Sequence, residues 1–423
     1  MKVFKFGGAS IVDAESFYNL FSIIEAHIGY ELVIVVSAMG KTTNALEKLS
    51  REFYFNDRDI NVLLKKVSNY HNDIARELFP DSEHMVHSDL EAIYERIKNK
   101  CIHLKRDEAI YDFMYDQVVS EGEMLSSTIV SHFLNEKGIF TKLLDATKVI
   151  KTNSNYREAL VNWKKTEEAI RQFIDFTENC VYVVQGFIGS CEQGHTTTLG
   201  REGSDFTAAI IAHSLDASEV VIWKDVPGLL NADPKYFSNT KKLDNISYHE
   251  AVELAYYGAS VIHPKTIKPL QNKGIPLYVR SFKDMKEKGS VIDDQSSEDS
   301  LLPSYIFKTD MVLLSVTTRD YSFVSEKHLA ELFNIFGKLN IKIDMMENSA
   351  ISFSVCFKYD EDKLDRLLSA LNKNYKVLYN RDVELMTVRH YDQPTLDQLI
   401  VNKDILVEQK SRHTARMVMK NKA

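Results

Sequence analysis

The stretch TTTLGREGSDFTA (196–208) gathers side chains that bind anions around two glycines, directly before an apolar helical pattern. Arg201 carries a guanidinium group, and a guanidinium beside a helix N-terminus favours a carboxylate or a phosphate. Ser204 and Asp205 are also common helix-capping residues, so capping alone would explain them. The stretch therefore predicts either a simple helix start or an anion site, and Arg201 favours the anion site.

A second group of residues, KFGGAS (5–10), follows an apolar run at the start of the chain. Lys5 would supply a point charge, and Gly7 and Gly8 would let a ligand approach the backbone closely. The N–H groups of the helix that follows could meet a phosphate. A plain strand-to-helix turn is the alternative, and these six residues alone do not exclude it.

Two further loops follow predicted strands. VVSAMGKTTN (35–44) ends like a Walker A loop, but Val35 stands where that motif requires its first glycine, which argues against a phosphate-wrapping loop. A loop of small residues after a strand still suits a substrate site at the carboxyl end of a sheet. WKDVPGLLNADPK (223–235) is rich in turn residues, and it predicts a long loop that either holds a nucleotide or is purely structural.

Glu123 stands in SEGEMLSS (120–127), inside a helical pattern. Its carboxylate could hold the ammonium group of a ligand through a charge-assisted hydrogen bond. A glutamate in a helix is more often a solvated surface residue. The neighbouring residues leave both interpretations open.

Short apolar runs and helical patterns alternate over the first two thirds of the chain, which is typical of an α/β sheet with helices on both faces. The predicted strands lie at 2–6, 31–36, 139–145, 180–186, 218–223 and 276–281. Residues 57–137 are mostly helical pattern. Residues 282–304 are rich in Ser, Asp, Glu and Lys, which favours a linker or domain edge.

The pattern changes beyond this segment. Strand, helix, strand, strand, helix and strand follow one another over residues 306–381, which predicts a ferredoxin-like α+β domain. Residues 382–423 add one more strand, a short helix and strand-like stretches. They predict a second, truncated unit of the same kind.

Composition argues against several classes of protein. The 423 residues carry a formal net charge of −8 and no long basic run, which argues against a nucleic-acid partner. No apolar stretch is long enough to cross a bilayer, so we expect no membrane partner. The four cysteines lack C-x-x-C spacing, which argues against a zinc site and a disulfide framework and favours a cytoplasmic protein.

The order of these stretches carries more information than any one of them. KFGGAS, VVSAMG, SEGEMLSS, QGFIG, TTLGREGSD, WKDVPGLLNADPK, ELAYYGASVIHP and IPLYVRSF together resemble aspartokinase, within the amino acid kinase superfamily. The resemblance covers residues 1–295, and the C-terminal region is similar to the ACT domains that follow the catalytic domain in that family. It implies an amino-acid-kinase-type sandwich, with a mostly parallel central sheet flanked by helices.

The resemblance implies ATP-dependent phosphorylation of the β-carboxylate of L-aspartate, with Mg²⁺ on the phosphates and 4-phospho-L-aspartate as the product. This reaction is the first step toward lysine, threonine and methionine.

By the family pattern, Lys5 would neutralise the transferring phosphoryl group, Asp205 would orient Lys5, and Gly8 would help to cradle the phosphoryl group. Glu123 would take the substrate ammonium, and Arg201 would pair with a substrate carboxylate. The implied aspartate pocket contains Ala38, Thr43, Glu123, Phe187, Arg201 and Ser204. The implied ATP site contains Lys5, Gly7, Gly8, Ser10, Lys224, Asp225, Leu230, Lys235 and Ser260.

Besides the mild change to Ala9 where threonine is usual, three residues of these stretches depart from the family pattern. Glu202 stands where the family has a glycine, so we expect its φ to be negative and its carboxylate to face solvent or pair with a basic residue. Lys224 stands where threonine is usual, and Ser260 stands where lysine is usual. We hypothesise that Lys224 replaces the missing charge at the ATP phosphates.

Two other functions stay open from the sequence. The acceptor could be a different carboxylate, or the chain could be an impaired homologue that senses an amino acid through its ACT region. Because ACT edges favour pairing between chains, we expect a homodimer. An amino-acid effector is compatible with Asp344, which matches an acidic ligand position, but Ala350 stands where the family's ACT unit carries glutamate.

Overall fold

The computed structural model describes residues 1–56, 58–103, 110–178, 181–259, 262–299, 302–320 and 322–422. Within these ranges the chain forms two compact units. The first comprises Met1–Leu229, Lys242–Val252 and Val261–Ser296, and the second comprises Leu230–Lys241, Glu253–Ser260 and Ser297–Ala423. The domain boundaries expected at 295, 306 and 381 stay predictions.

The helices are α1 (Ala14–Glu25), α2 (Thr42–Asn56), α3 (Ile60–Leu78), α4 (Met85–His103), α5 (Tyr111–Val119), α6 (Glu121–Glu136), α7 (Ala146–Val149), α8 (Trp163–Phe173), α9 (Gly203–Ser214), α10 (Tyr248–Tyr257), α11 (Pro264–Gln271), α12 (Glu326–Lys338), α13 (Glu361–Leu371) and α14 (Gln393–Leu399). The strands are β1 (Lys2–Phe6), β2 (Leu32–Val36), β3 (Thr141–Leu144), β4 (Val181–Gln185), β5 (Ile188–Ser190), β6 (Thr196–Thr198), β7 (Glu219–Lys224), β8 (Leu229–Leu230), β9 (Lys242–Leu243), β10 (Asn245–Ser247), β11 (Leu277–Ser281), β12 (Ser290–Asp293), β13 (Ser304–Thr318), β14 (Ile343–Asn348), β15 (Ser352–Lys358), β16 (Tyr375–Arg389), β17 (Lys403–Lys410) and β18 (Thr414–Asn421). None of the described helices combines the length and the apolar character that a membrane span needs.

The first unit is built on an eight-stranded sheet in the order β10-β12-β11-β7-β1-β2-β4-β3. The strands from β11 to β3 in this order run parallel, and β12 is antiparallel to β11. All five residues of β2, LVIVV, are buried, as expected for a parallel strand covered by helices on both faces. The mostly parallel sheet predicted from the sequence is confirmed.

Helix α1 shows how an amphipathic pattern places an element on this core. Its Phe17, Leu20 and Ile24 are fully buried, and their spacing puts them on one face of the helix. The helix begins at a capping box, because the Asp13 side chain accepts a hydrogen bond from the N–H of Ser16 at 2.9 Å. This cap satisfies a donor that the first turn would otherwise leave free.

The segment 282–304 is more ordered than its composition indicates. Residues 290–293 form strand β12, which pairs with β10 and β11 in the main sheet. Ile292 is fully buried there. Of the two alternatives, a linker or a domain edge, the linker is therefore wrong for this strand. Two apolar residues between polar clusters are too few to give a strand pattern.

The second unit contains a six-stranded antiparallel sheet in the order β14-β15-β13-β16-β18-β17. Its first four strands have the ferredoxin-like order, with α12 and α13 as the two helices. Buried Phe336 of α12 and Leu364 and Leu367 of α13 belong to its apolar core. The other side of the sheet is extended by β18 and β17 and by the single helix α14. This arrangement agrees with the ACT-like region predicted from the sequence.

Residues 230–241, which include the second half of the turn-rich loop, also belong to this second unit. The N–H of Tyr305 donates to the carbonyl oxygen of Asn231 at 2.7 Å, and the Asn231 amide donates to the carbonyl oxygen of Pro303 at 2.9 Å. The rings of Tyr236 and Phe307 lie 5.0 Å apart. These contacts fix the segment along the start of β13.

Gly8 lies where the loop after β1 meets the loop after β2. Its carbonyl oxygen accepts a hydrogen bond from the N–H of Gly40 at 2.8 Å, and an added Cβ would lie 2.2 Å from the carbonyl oxygen of Ala38. A backbone oxygen cannot swing aside as a flexible side chain can. Glycine is therefore required here by the chain itself, whether or not a ligand approaches.

We expect Gly8→Ala to lower the free energy of unfolding by about 1–3 kcal/mol, the usual range for overpacking a close contact. Gly7→Ala is the matched control, because its Cβ would meet nothing closer than the Lys5 Nζ at 3.5 Å. Urea denaturation of the two variants measures the difference. Equal stability of the two variants would contradict the steric argument.

Candidate functional site

Four neighbouring parallel strands, β7, β1, β2 and β4, end at the same edge of the main sheet. Lys224 is the last residue of β7, and Lys5 lies in β1. Ala38 lies shortly after the end of β2, and Phe187 lies shortly after the end of β4. Binding sites of α/β proteins lie at the carboxyl ends of parallel strands, so the fold brings these predicted residues to the expected edge.

Asp205 lies in the first turn of α9, between two lysines. The Nζ of Lys5 is 2.5 Å from Oδ1 of Asp205, and the Nζ of Lys224 is 3.4 Å from Oδ2. Burial opposes ionisation of this carboxyl group, but the two lysines outweigh it, and the pKa of Asp205 is lowered. The two ammonium groups exceed this one carboxylate by a positive charge, which suits a phosphate. The neighbouring Glu202 carboxylate offsets that excess when it is ionised.

Glu123 is buried near the start of α6, with 3% of its surface exposed. Its Oε1 accepts a hydrogen bond from the N–H of Ala38 at 3.4 Å, and its Oε2 has no hydrogen-bond partner among the described residues. Burial raises the pKa of Glu123 to about 8, and the Ala38 N–H and Lys5 oppose that rise. A buried carboxylate oxygen without a donor is costly, so this pocket suits a ligand that brings a cationic donor.

The start of α9 packs closely against the loop after β4. Phe187 has a φ of 70°, which is rare for a bulky residue. Its N–H donates to Oγ1 of Thr207 at 2.9 Å, and its carbonyl oxygen accepts from the N–H of Leu199 at 2.9 Å. An added Cβ on Gly203 would lie 2.6 Å from Cδ2 of Phe187. Ser204 is buried in the same turn of α9, so the fold brings it and Phe187 together.

Glu202 differs from both expectations drawn from the sequence. Its φ is 55°, so the expected negative φ is wrong. Glu202 itself is the N-cap of α9, which also corrects the expectation that Ser204 or Asp205 caps the helix. The close contact of Gly203 with Phe187 sets where α9 begins, and the chain enters the helix through a left-handed residue.

Glu202 is partly buried, and its carboxylate forms no ion pair with a basic residue in the described ranges. Its Oε2 is buried and has no hydrogen-bond partner in the part of the chain that the structure describes. Burial raises the pKa of Glu202, while Lys224, Arg201 and Lys5 oppose the rise. The carboxylate therefore lies among the charges of the lysine pair, contrary to the prediction.

Other predicted residues lie in loops and helix starts of the first unit. Ser10 is buried, and its hydroxyl donates to the carbonyl oxygen of Trp223 at 3.3 Å, which ties the loop after β1 to β7. Thr43 lies in the first turn of α2, and Arg201 is exposed in the turn before α9. Asp225 is exposed directly after β7.

Three of the predicted ATP-site residues lie outside the described part of the first unit. Leu230 and Lys235 belong to the segment that forms part of the second unit. Ser260 lies outside the described residues. The role of each site residue stays a prediction.

Sequence reasoning missed Asp116, a fully buried carboxylate in α5. It binds the end of β6, directly before the loop that carries Arg201. The stretch YDFMYDQVV gives a helical pattern but does not distinguish a buried aspartate from one at the surface. The pairing partners lie far away in sequence, and no local signal could reveal them.

Comparison with known proteins identifies the family. The sequence profile described as "Amino acid kinase family" matches residues 1–281 of the 423. The chain belongs to the amino acid kinase family. Within that family it is similar to the lysine-sensitive aspartokinase 3 of Escherichia coli, with 32% identity over 84% of this chain and 77% of the relative. It is also similar to the chloroplastic aspartokinase 1 of Arabidopsis thaliana, with 32% identity over 84% of this chain and 62% of that relative.

Solved structures give the same family. This amino acid kinase is similar to E. coli aspartokinase III in complex with aspartate and ADP in the R-state, with a TM-score of 0.84, 26% identity and coverage of 99% of this chain and 96% of that chain. The T-state of the same E. coli enzyme, in complex with lysine and aspartate, gives a TM-score of 0.79, 26% identity and coverage of 99% and 95%. The resemblance to aspartokinase noted from the motifs is confirmed.

Replacing Glu202 by glycine tests the backbone strain in this kinase. We expect Glu202→Gly to raise the free energy of unfolding by about 1 kcal/mol, because an L-residue in the left-handed region costs about 1–2 kcal/mol and glycine adopts it without a Cβ conflict. This increase in the free energy of unfolding should be smaller near pH 4, because the wild-type carboxyl is protonated there and the wild type no longer buries a charge at this position. Thermal or urea unfolding at two pH values measures it.

Glu202→Ala separates the two contributions, because alanine keeps the Cβ but removes the buried carboxylate. If Glu202→Ala raises the free energy of unfolding as much as Glu202→Gly does, the stabilisation comes from removing the carboxylate alone. A glycine variant less stable than the wild type would refute the strain.

Proposed function

We propose that the chain transfers the γ-phosphoryl group of ATP to the β-carboxylate of L-aspartate and forms 4-phospho-L-aspartate. The observation that carries this proposal is the buried Asp205 carboxylate, which holds Lys5 and Lys224 at the carboxyl ends of adjacent strands. The similarity to aspartokinases, one of them solved with aspartate and ADP, supports the same reaction. The product is the first intermediate toward lysine, threonine and methionine.

The lysine pair supplies what phosphoryl transfer needs most. The transition state spreads negative charge over the phosphoryl oxygens, and catalysis is largely positioning and charge neutralisation. The acceptor carboxylate is already ionised, so no general base is required. Lys5 is held by Asp205 in the centre of the sheet, where it can neutralise the phosphoryl group, and Lys224 adds a second charge from β7.

Glu123 favours an amino acid as the acceptor. Its Oε2 lacks a donor among the described residues, and a substrate ammonium would supply a charge-assisted hydrogen bond. Arg201, exposed before α9, is free to turn toward a substrate carboxylate, and Thr43, Phe187 and Ser204 complete the proposed pocket.

Mg²⁺ fits this site as an ion held mainly by the ATP phosphates. Among the described residues no group of three or more His, Cys, Asp or Glu side chains could hold a metal ion alone. Mg²⁺ commonly binds substrate phosphates with only one or two carboxylates. When bound, it would neutralise phosphate charge alongside Lys5 and Lys224, while Gly7, Gly8 and Ser10 line the turn after β1.

Formation of aspartyl hydroxamate from ATP, Mg²⁺, aspartate and hydroxylamine tests the proposed reaction. We expect product that depends on ATP and on aspartate, because hydroxylamine traps the acyl phosphate. Glutamate and N-acetylglutamate replace aspartate in parallel reactions. Faster turnover of either one would make it the acceptor, and no product with any acceptor would favour an impaired, amino-acid-sensing homologue.

The pH dependence of the Michaelis constant for aspartate tests Glu123. Its raised pKa means that the free protein holds a protonated carboxyl below about pH 8, whereas binding an ammonium requires the ionised form. We therefore expect the KM for aspartate to fall as the pH rises toward 8. In Glu123→Gln this dependence should disappear, and the KM should rise about 10- to 100-fold, as expected for losing a hydrogen bond between charged groups.

Glu121→Gln is the control on the same helix, because Glu121 is equally buried but pairs with Arg96 and Lys100 at 2.8 and 2.7 Å. It should lower stability and leave the KM for aspartate unchanged. A Glu123→Gln enzyme with the wild-type pH profile would exclude Glu123 as the ammonium site.

The assembly and the location of the protein are also proposals. Strand β14 is an edge of the six-stranded sheet, and a free edge can pair with a second chain, which supports a homodimer. The described cysteines are Cys101, Cys191 and Cys356, and all three are buried and unpaired, which supports a cytoplasmic location.

An amino-acid effector of the ACT region is a further proposal. Asp344, the acidic position expected to bind one, accepts a hydrogen bond from Lys308 at 2.7 Å. This pairing favours a weak response to a cationic effector such as lysine, because Lys308 already neutralises the carboxylate.

A further inference from the structure

Asp116 of α5 makes a dense set of hydrogen bonds to two separate segments of the chain. Its Oδ1 accepts from the Thr198 hydroxyl at 2.7 Å, and its Oδ2 accepts from the Thr198 N–H at 2.8 Å. The N–H of Arg157 lies 3.1 and 3.0 Å from the same two oxygens. Asp116 and Thr198 are both fully buried, so water does not compete for these bonds.

Burial raises the pKa of Asp116 to about 6, and the donors on Arg157 and Thr198 oppose that rise. The carboxyl group is therefore ionised at neutral pH and acts only as an acceptor. Hydrogen bonds to a buried ionised group are stronger than neutral ones. The bonds at Asp116 thus fix their donors more firmly than an ordinary side-chain contact would.

The bonds to Thr198 fix the base of the loop that carries Arg201. Thr198 is the last residue of β6, three positions before Arg201. Leu199, the next residue, donates its N–H to the carbonyl oxygen of Phe187 at 2.9 Å. An added Cβ on Gly200 would lie 3.3 Å from the carbonyl oxygen of Arg157, so the second segment held by Asp116 also abuts this loop.

The same helical region carries the proposed ammonium site. Ser120, between α5 and α6, has helical φ and ψ angles. Asp116 lies about one turn before Ser120 in α5, and Glu123 lies in the first turn of α6 directly after it. The groups that would recognise the two ends of an amino acid therefore depend on two consecutive helices that meet at Ser120.

We propose that Asp116 is a positioning residue for the substrate: through Thr198 it sets the loop that presents Arg201 at a fixed place relative to Glu123. This inference rests on the proposed aspartate kinase activity. Asp116 does not itself touch the substrate in this assignment. Its loss should weaken aspartate binding and leave ATP binding, which uses the loops after β1 and β7, unchanged.

Thr198→Val removes one donor to Asp116 and keeps the shape of the side chain. We expect the KM for aspartate to rise about tenfold, the size expected for losing a hydrogen bond to a charged group, with the KM for ATP unchanged within about twofold. Thr197→Val is the matched control. Thr197 is equally buried in β6 and also loses one hydrogen bond, because its hydroxyl lies 2.6 Å from that of Thr152.

Equal effects of the two valine substitutions would overturn the proposal, as would a parallel rise in the KM for ATP. Asp116→Asn is a second, stronger variant, because its amide would turn N–H donors toward the donors of Arg157 and Thr198. It should raise the KM for aspartate further while circular dichroism shows a folded protein. An Asp116→Asn enzyme that folds and has the wild-type KM for aspartate would also refute the assignment.

Calorimetric titration with aspartate tests the positioning role of Asp116 separately from the proposed kinase activity. A wild type that forms no aspartyl hydroxamate would count against the proposed function. The dissociation constant for aspartate in Thr198→Val and Thr197→Val still reports on Asp116 in that case, and it should rise about tenfold only in Thr198→Val. No difference between the two would count against the positioning role alone.

Discussion

The burial of Asp205 between two lysines is the constraint on which the candidate site depends. A buried carboxylate that stays ionised needs charged partners, so β1, β7 and the first turn of α9 must meet closely. The central position of β1 between β2 and β7 allows this. Once Lys5, Lys224 and Asp205 are in place, the neighbouring loops have little freedom, and the hydrogen bond from Ser10 to the end of β7 restricts them further.

The surroundings of two buried carboxyl groups in this site shift their pKa values in opposite directions. Paired lysines lower the pKa of Asp205, and burial without a full set of donors raises the pKa of Glu123. Divergent pKa values of neighbouring acids indicate divergent roles. Asp205 is fixed as a charged support for the lysines, whereas Glu123 is left to acquire its charge together with a cationic ligand.

Much of this arrangement could be predicted from the sequence, because apolar runs mark the strands and the site residues follow the strand ends. Strand β12 could not be predicted because its apolar run is too short. The φ of Glu202 could not be predicted, because it depends on the packing of Gly203 against Phe187. The burial and hydrogen bonding of Asp116 could not be predicted for a related reason, since its partners lie 41 and 82 residues away along the chain.

The two long strands of the second unit have a consequence for how this region folds. Strand β13 pairs with β16 from Ser304 opposite Arg389 to Thr318 opposite Tyr375, so one pair of strands serves both the ferredoxin-like half and the truncated half. Contacts that join such distant positions form slowly, because loop closure precedes any gain in free energy. A nascent chain that stops short of β16 would leave β13 with an unpaired edge, and both halves of the sheet need β16 before they can form.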